Sequence, residues 1–332
     1  MRRLTPLRRQ VETLVESMRL GLTRATLSLF AHAPYPLEHT LDYLGDPGLL
    51  GPRCESWRLL ADPAAIVGGL RGLLIQSAHP EVVAGVDHHS RYRDDPFGRL
   101  SRTSAYVTAT TFGSIPEVEQ AVSQVNRIHR VVTGVSGRGV PYDASDPALS
   151  AWVHNVLTDS FLATNQVYAE RALGERESDV FVKEQTRIGA LLGSAPMPET
   201  AQTLADWVVD HPGVAPSAEM GDIVDFLTHP PLPAGIKLGY TVILEAAVAT
   251  IPRRLQGILG LNAKPGAELA GRAAVAALRW ALGFSPTWAL ALERNGAEIP
   301  WEMFKQVSGT SRRASRQGSI SPHDADGGEG GI

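Results

Sequence analysis

The sequence predicts an all-α fold. Apolar residues recur at helical spacing after each turn signal, strict period-two alternation does not persist beyond four residues, and Asp-Pro pairs mark helix starts. The 332 residues allow one large domain or two ordinary ones. A hydrophobic share of 43% with 20% charge is ordinary for a globular chain, so the core needs no covalent staple. The net charge of -4 supplies no basic field, and nucleic-acid binding is not expected. One cysteine, Cys54, excludes an internal disulfide and thiolate clusters within the chain.

The first thirty residues read as an amphipathic helix capping the core, with weak membrane-surface contact by its arginine-rich side as an expectation. Charge interrupts its apolar residues, so no secretory h-region forms and a cytoplasmic location is expected. No run reaches the roughly 18 apolar residues of a spanning helix, since TVILEAAVATI contains Glu245 and stops at Pro252. Asp62-Pro63, Asp95-Pro96 and Asp146-Pro147 each place a capping carboxylate before a proline whose missing N–H costs nothing at a first helical position. They open helices of roughly 64 to 78, 96 to 112 and 147 to 171, with another from about 116 to 133. Gly134 to Pro147 reads as a glycine-rich lid or binding loop. Further helices are expected near 177 to 192, 199 to 210, 217 to 228, 235 to 256 and 265 to 283, within a helical domain of roughly 31 to 306. From about Ser308 the chain lacks the apolar residues to order itself, and 307 to 332 is expected to be a disordered tail.

The polar residues concentrate between Gln76 and Thr103. This stretch holds His79, His88 and His89, Arg91, Arg93, Arg99 and Arg102, and Asp94 and Asp95. Arg99, Arg102 and Thr103 stand at i, i+3 and i+4 and share one helix face. They form either a solvated, salt-bridged face or a set of donors for an anion such as a haem propionate. His129 falls about 40° from Val125 around the helix, inside a stripe of Val118, Val122, Val125 and Ile128. A histidine on such a face either satisfies its ring with buried partners or binds something, an axial haem iron being one choice. His154 lies at the edge of an apolar face as a pocket residue or a structural donor. His79 precedes Pro80 and marks a helix junction, while His89 lines a pocket or caps a turn. HExxH, ExxH, GxSxG and phosphate-loop motifs are missing. A metal held by scattered histidines and aspartates, including His79, His89, Asp95 and His154, stays open.

QSAHPEVVAGVDHHSRYRDDPFGRLSRT, VNRIHRVVTG and DPALSAWVHNVLTDS together resemble the helical domain of bacterial and fungal oxygenases related to rubber oxygenase, the latex-clearing protein. The resemblance spans roughly residues 50 to 260. It implies a globin-like helical bundle, non-covalent haem b, and oxygen as co-substrate. Arg99, Leu100, Arg102 and Thr103 match the family's distal R-L-x-K/R-T motif, and His129 matches its proximal ligand. His79, His89 and His154 are expected around the cofactor. Arg102 stands where rubber oxygenases have a lysine, and a guanidinium that stays protonated is a poor ligand. An apolar substrate such as a terpenoid, lipid or aromatic metabolite is expected, the alternatives being a haem or hydrophobic-ligand carrier and a non-haem metal enzyme.

Overall fold

A computed structural model describes residues 6–28, 32, 36–90, 93–283 and 286–298. Its centre is a pair of helices, α3 (Ala64–Gln76) and α7 (Pro147–Tyr168). Gly68 and Gly72, one turn apart on α3, let the two backbones close: a Cβ on Gly68 would lie 2.7 Å from Thr164 Oγ1 and 2.8 Å from the Phe161 ring. Beside Gly72, the buried Arg71 donates to Asp159 (2.7 Å) and Ser160 (2.8 Å) on α7. A charge so deep requires this pairing, because it has given up its water.

The other helices wrap this pair. They are α1 (Pro6–Ser28), α2 (Glu55–Ala61), α4 (Pro80–His89), α5 (Pro96–Phe112), α6 (Ile115–His129), α8 (Glu175–Leu191), α9 (Ala201–Val209), α10 (Ala218–Thr228), α11 (Ala234–Ala249), α12 (Arg253–Leu259), α13 (Ala267–Leu282) and α14 (Pro286–Arg294), with a 3-10 turn over Thr40–Tyr43. Trp57 of α2 anchors one side of the core. Its indole donates to Leu50 O at 2.7 Å and its ring meets Phe112 edge-on at 5.2 Å. Across the core, α11 packs on α3 and α13, and Tyr168 donates to Ala246 O at 2.8 Å.

The Asp-Pro devices work as their chemistry dictates. Asp95 accepts from Gly98 N (2.9 Å) and Asp146 from Ala148 N (2.7 Å), satisfying free N–H groups at the starts of α5 and α7. Asp62 accepts from Ala64 N at 2.8 Å and also pairs with Arg279 of α13. His79 sits in the extended conformation that the following Pro80 imposes, and it divides α3 from α4.

Three expectations need correction. The Gly134–Pro147 loop contains an antiparallel pair, β1 (Thr133–Val135) with β2 (Pro141–Asp143), in the register Gly134↔Tyr142. Three-residue strands are too short to show alternation, and Gly139 at φ +79° supplies the turn. The helix expected over 235 to 256 is two, α11 and α12, because Pro252 cannot continue the hydrogen-bond ladder. The helix expected to reach 133 ends at His129, and after a short turn β1 begins at Thr133. The tail from Ser308 lies outside the described residues. Among the described residues, no single helix is long and apolar enough to cross a membrane.

Candidate functional site

Helices α5 and α6 pack together through a tight connection at Gly113 and Ser114. Buried polar groups fix this closed end. Glu117 accepts from Ser114 N (2.8 Å), Ser114 Oγ (2.7 Å) and Thr40 Oγ1 (2.9 Å), and Ile115 N donates to Asp46. Arg294 of α14, also buried, donates to Thr40 Oγ1 at 2.6 Å and stands 3.6 Å from Glu117. At Gly48 a Cβ would come 2.1 Å from Gly113 O, so only glycine fits against the connection.

The open end carries the candidate chemistry. At about 1.5 Å per residue, Arg99 and His129 each stand roughly 22 Å along their own helix from the connection. His129 is half-buried at the last residue of α6. Burial pushes its imidazole below the ordinary histidine value against the opposing pull of Asp143, so the ring is neutral at pH 7. Neither ring nitrogen is hydrogen-bonded to another described residue. A neutral, uncommitted imidazole is the form that coordinates a metal.

Arg99 and Thr103 are half-buried on α5, and Thr103 Oγ1 donates to Arg99 O at 3.1 Å. Its lone pairs stay free to accept. Tyr106 continues the face at i+7 from Arg99 and i+3 from Thr103. Its hydroxyl is buried without a hydrogen-bond partner among the described residues, and burial drives its ionisation well above the ordinary phenol value. The i, i+4, i+7 spacing from Arg99 was the sequence signal for this residue. Arg102 points elsewhere: it is exposed and paired at 3.2 Å with Asp95, itself exposed. Along α6 runs an open groove of about 390 Å³ with Leu49, Ile115, Val118, Val122, Asn126 and Leu191 in its lining. Val118 and Val122 flank the helical direction of His129.

The other histidines are divided among separate contacts. His79 is buried with Nδ1 3.4 Å from Glu81, its ring against Trp152 and His211. A Cβ on Gly213 would lie 2.4 Å from its Nε2, so the ring is enclosed on that side as well. Burial pulls its pKa down to about 4 despite Glu81, whose carboxylate is held by Arg138 and Ser136 of the β1–β2 connection. His154 Nε2 meets Gln185 O of α8 at 2.8 Å, and burial lowers its pKa to about 4. This is the geometry of a neutral ring donating to a carbonyl. His89 is exposed, with Nε2 3.0 Å from Thr133 O. The structure places Arg99 and Thr103 on one face of α5 and His129 at the end of α6, and holds His89 and His154 against backbone carbonyls, while Nδ1 of His79 is buried without a hydrogen-bond partner among the described residues. Among the described residues, no group of three or more His, Cys, Asp or Glu side chains is placed to hold a metal ion.

The family described as ER-bound oxygenase mpaB/B'/rubber oxygenase, catalytic domain, matches residues 57–280, well over half of the chain. The chain belongs to this oxygenase family. No curated protein and no solved structure shows a significant match to it. The matched catalytic domain runs from Trp57 in α2 to Trp280 in α13 and contains the α5–α6 pair. Helices α1 and α14 fall outside it, although Arg294 of α14 helps to fix the α5–α6 connection.

Proposed function

We propose that this member of the oxygenase family binds haem b non-covalently through His129 and oxidises an apolar small molecule with oxygen. The observation that carries the reading is the state of His129: neutral through burial, at the end of an anchored helix, with neither ring nitrogen spent on a described residue. The chemistry of these residues suits a haem: one uncommitted imidazole for the iron, a half-buried cation on the neighbouring helix for a propionate, and an apolar face of α6 toward the macrocycle. Bound haem supplies the activation of oxygen.

The protein's part is orientation and polarity. Arg99 presents a fixed positive charge from α5, and Thr103 presents acceptor lone pairs one turn further on. The unpartnered Tyr106 hydroxyl is positioned on the same helix face to donate to a substrate or oxygen atom that enters beside it. Exposed and paired with Asp95, Arg102 sits apart from this role. A terpenoid, lipid or aromatic metabolite rather than a sugar goes with this reading, and the groove along α6 sets apolar Leu49, Val118, Val122 and Leu191 beside polar Glu119, Asn126 and Arg130. Cytoplasmic placement goes with this reading as part of the proposal.

The test is spectroscopic. Purified protein supplemented with haem should show a Soret band, and His129→Ala should shift or abolish it while His154→Ala preserves it in whatever fraction folds. A colourless protein after supplementation sinks the haem reading. So does a His129→Ala variant with an unchanged spectrum.

A further inference from the structure

Helix α1 meets the rest of the protein with the wrong side for a core helix. Its contact face is polar: Arg19 and Thr23 both donate to Ala281 O of α13, at 3.3 Å and 3.0 Å, and Thr26 is buried close by. Several of its apolar side chains face outward instead. Leu14 is 61% exposed, Val15 45% and Met18 63%, and every residue from Thr13 to Met18 is exposed. Leu14 and Met18 lie one above the other at i and i+4 with Val15 beside them, so they form one stripe on a stretch of helix that stands off the body. In proteins most helix stability comes from packing an amphipathic face. The exposed stripe therefore calls for a partner.

Charge selects that partner. Residues 1–28 contain six arginines and two glutamates, a net +4, whereas the whole chain carries -4, so the remainder carries -8. A second copy would bring two cationic segments against each other, and three side chains fall far short of the roughly 800 Å² per partner of a stable dimer. An anionic bilayer answers both features, because its headgroups attract the arginines and its acyl boundary accepts the stripe. We propose that the exposed stretch of α1 lies in the surface of an anionic bilayer, with Leu14, Val15 and Met18 inserted at the acyl boundary and the net positive charge of the N-terminal segment drawn to the headgroups. The family domain begins only at residue 57, so this surface is outside the segment the family shares. The proposal does not depend on the haem reading.

Co-sedimentation of the full chain with vesicles tests it. Vesicles of phosphatidylcholine with one third phosphatidylglycerol should retain the protein at least tenfold more tightly than pure phosphatidylcholine, with the difference shrinking at high salt. The double variant Leu14→Glu, Met18→Glu should lose at least tenfold in binding while its far-UV circular dichroism and melting temperature stay unchanged, since both side chains are solvent-exposed. Three outcomes overturn the proposal: no binding to anionic vesicles; equal binding by the double variant, which would mean charge alone acts; or a dimer that the double variant dissolves without any vesicle binding.

Discussion

At the scale of single residues, the same amino-acid types occupy opposite situations, and burial separates them. Arg99 and Arg102 share a helix face by spacing, yet Arg102 is 52% exposed beside a carboxylate that is 45% exposed. Such an exposed pair adds little to stability, because water and salt screen it. Tyr106 is the reverse case. Its hydroxyl lies out of water with no partner among the described residues, an arrangement that costs about 1–3 kcal/mol for a neutral polar group. A protein that carries this cost for packing alone would be better served by phenylalanine. Tyr106→Phe should therefore leave thermal stability unchanged or raise it slightly, while haem-dependent product formation falls by about tenfold or more, in the range that a positioned donor contributes. Calorimetry beside a product assay reads both quantities. A variant that loses stability and keeps full activity would make the hydroxyl structural.

At the scale of helices, the tightest joint is α3 against α7, and it hangs on a missing side chain. The atoms that a Cβ on Gly68 would meet include the Phe161 backbone at 3.0 Å, which cannot swing aside. Gly68→Val should destabilise the fold by about 2–3 kcal/mol through overpacking, offset only slightly by the better helix propensity of the new residue. Urea unfolding measures it; a change below about 0.5 kcal/mol would mean that the pair can spread without cost. Much of this level was legible in the sequence. The Asp-Pro caps placed α5 and α7 correctly at their starts, because a carboxylate followed by proline is a local device that the rest of the fold cannot overrule. The junction at His79 followed from the same local rule. Short α2 and α4 and the β1–β2 pair were not legible, since a seven-residue helix or three-residue strand shows too few periods to declare itself. The partners of the histidines were hidden for a different reason. Gln185 O, which engages His154, lies 31 residues away, and spacing does not encode contacts between helices. For His129 the sequence carried its position within the stripe, while its half-burial and the arrangement that anchors α6 through Arg294 belong to the fold.

At the scale of the whole molecule, buried histidines tie stability to pH. His79 and His154 have folded pKa values pulled down to about 4 by burial, against about 6.5 in an unfolded chain. Between those values the unfolded state binds more protons than the folded one, so stability rises with pH across the window. It is fully present above pH 6.5 and drains away as the pH falls toward 4. Each group contributes on the order of 3 kcal/mol to this loss as an upper figure, and His129 and His211, also lowered by burial, add in the same direction. Glu81 acts lower on the scale. Its carboxyl is held below the ordinary value by Arg138 and Ser136 against the cost of burial, so its contribution is lost only as the pH falls below about 4.5. The expected profile is therefore a stability plateau near neutrality with a decline that begins between pH 6.5 and 6, well above the carboxylate range. Urea midpoints at half-unit steps from pH 7.5 to 5 would reveal it. A profile flat to pH 5 would show that these rings take up protons without opening the fold, and a His154→Gln variant with an undiminished slope would remove His154 from its cause.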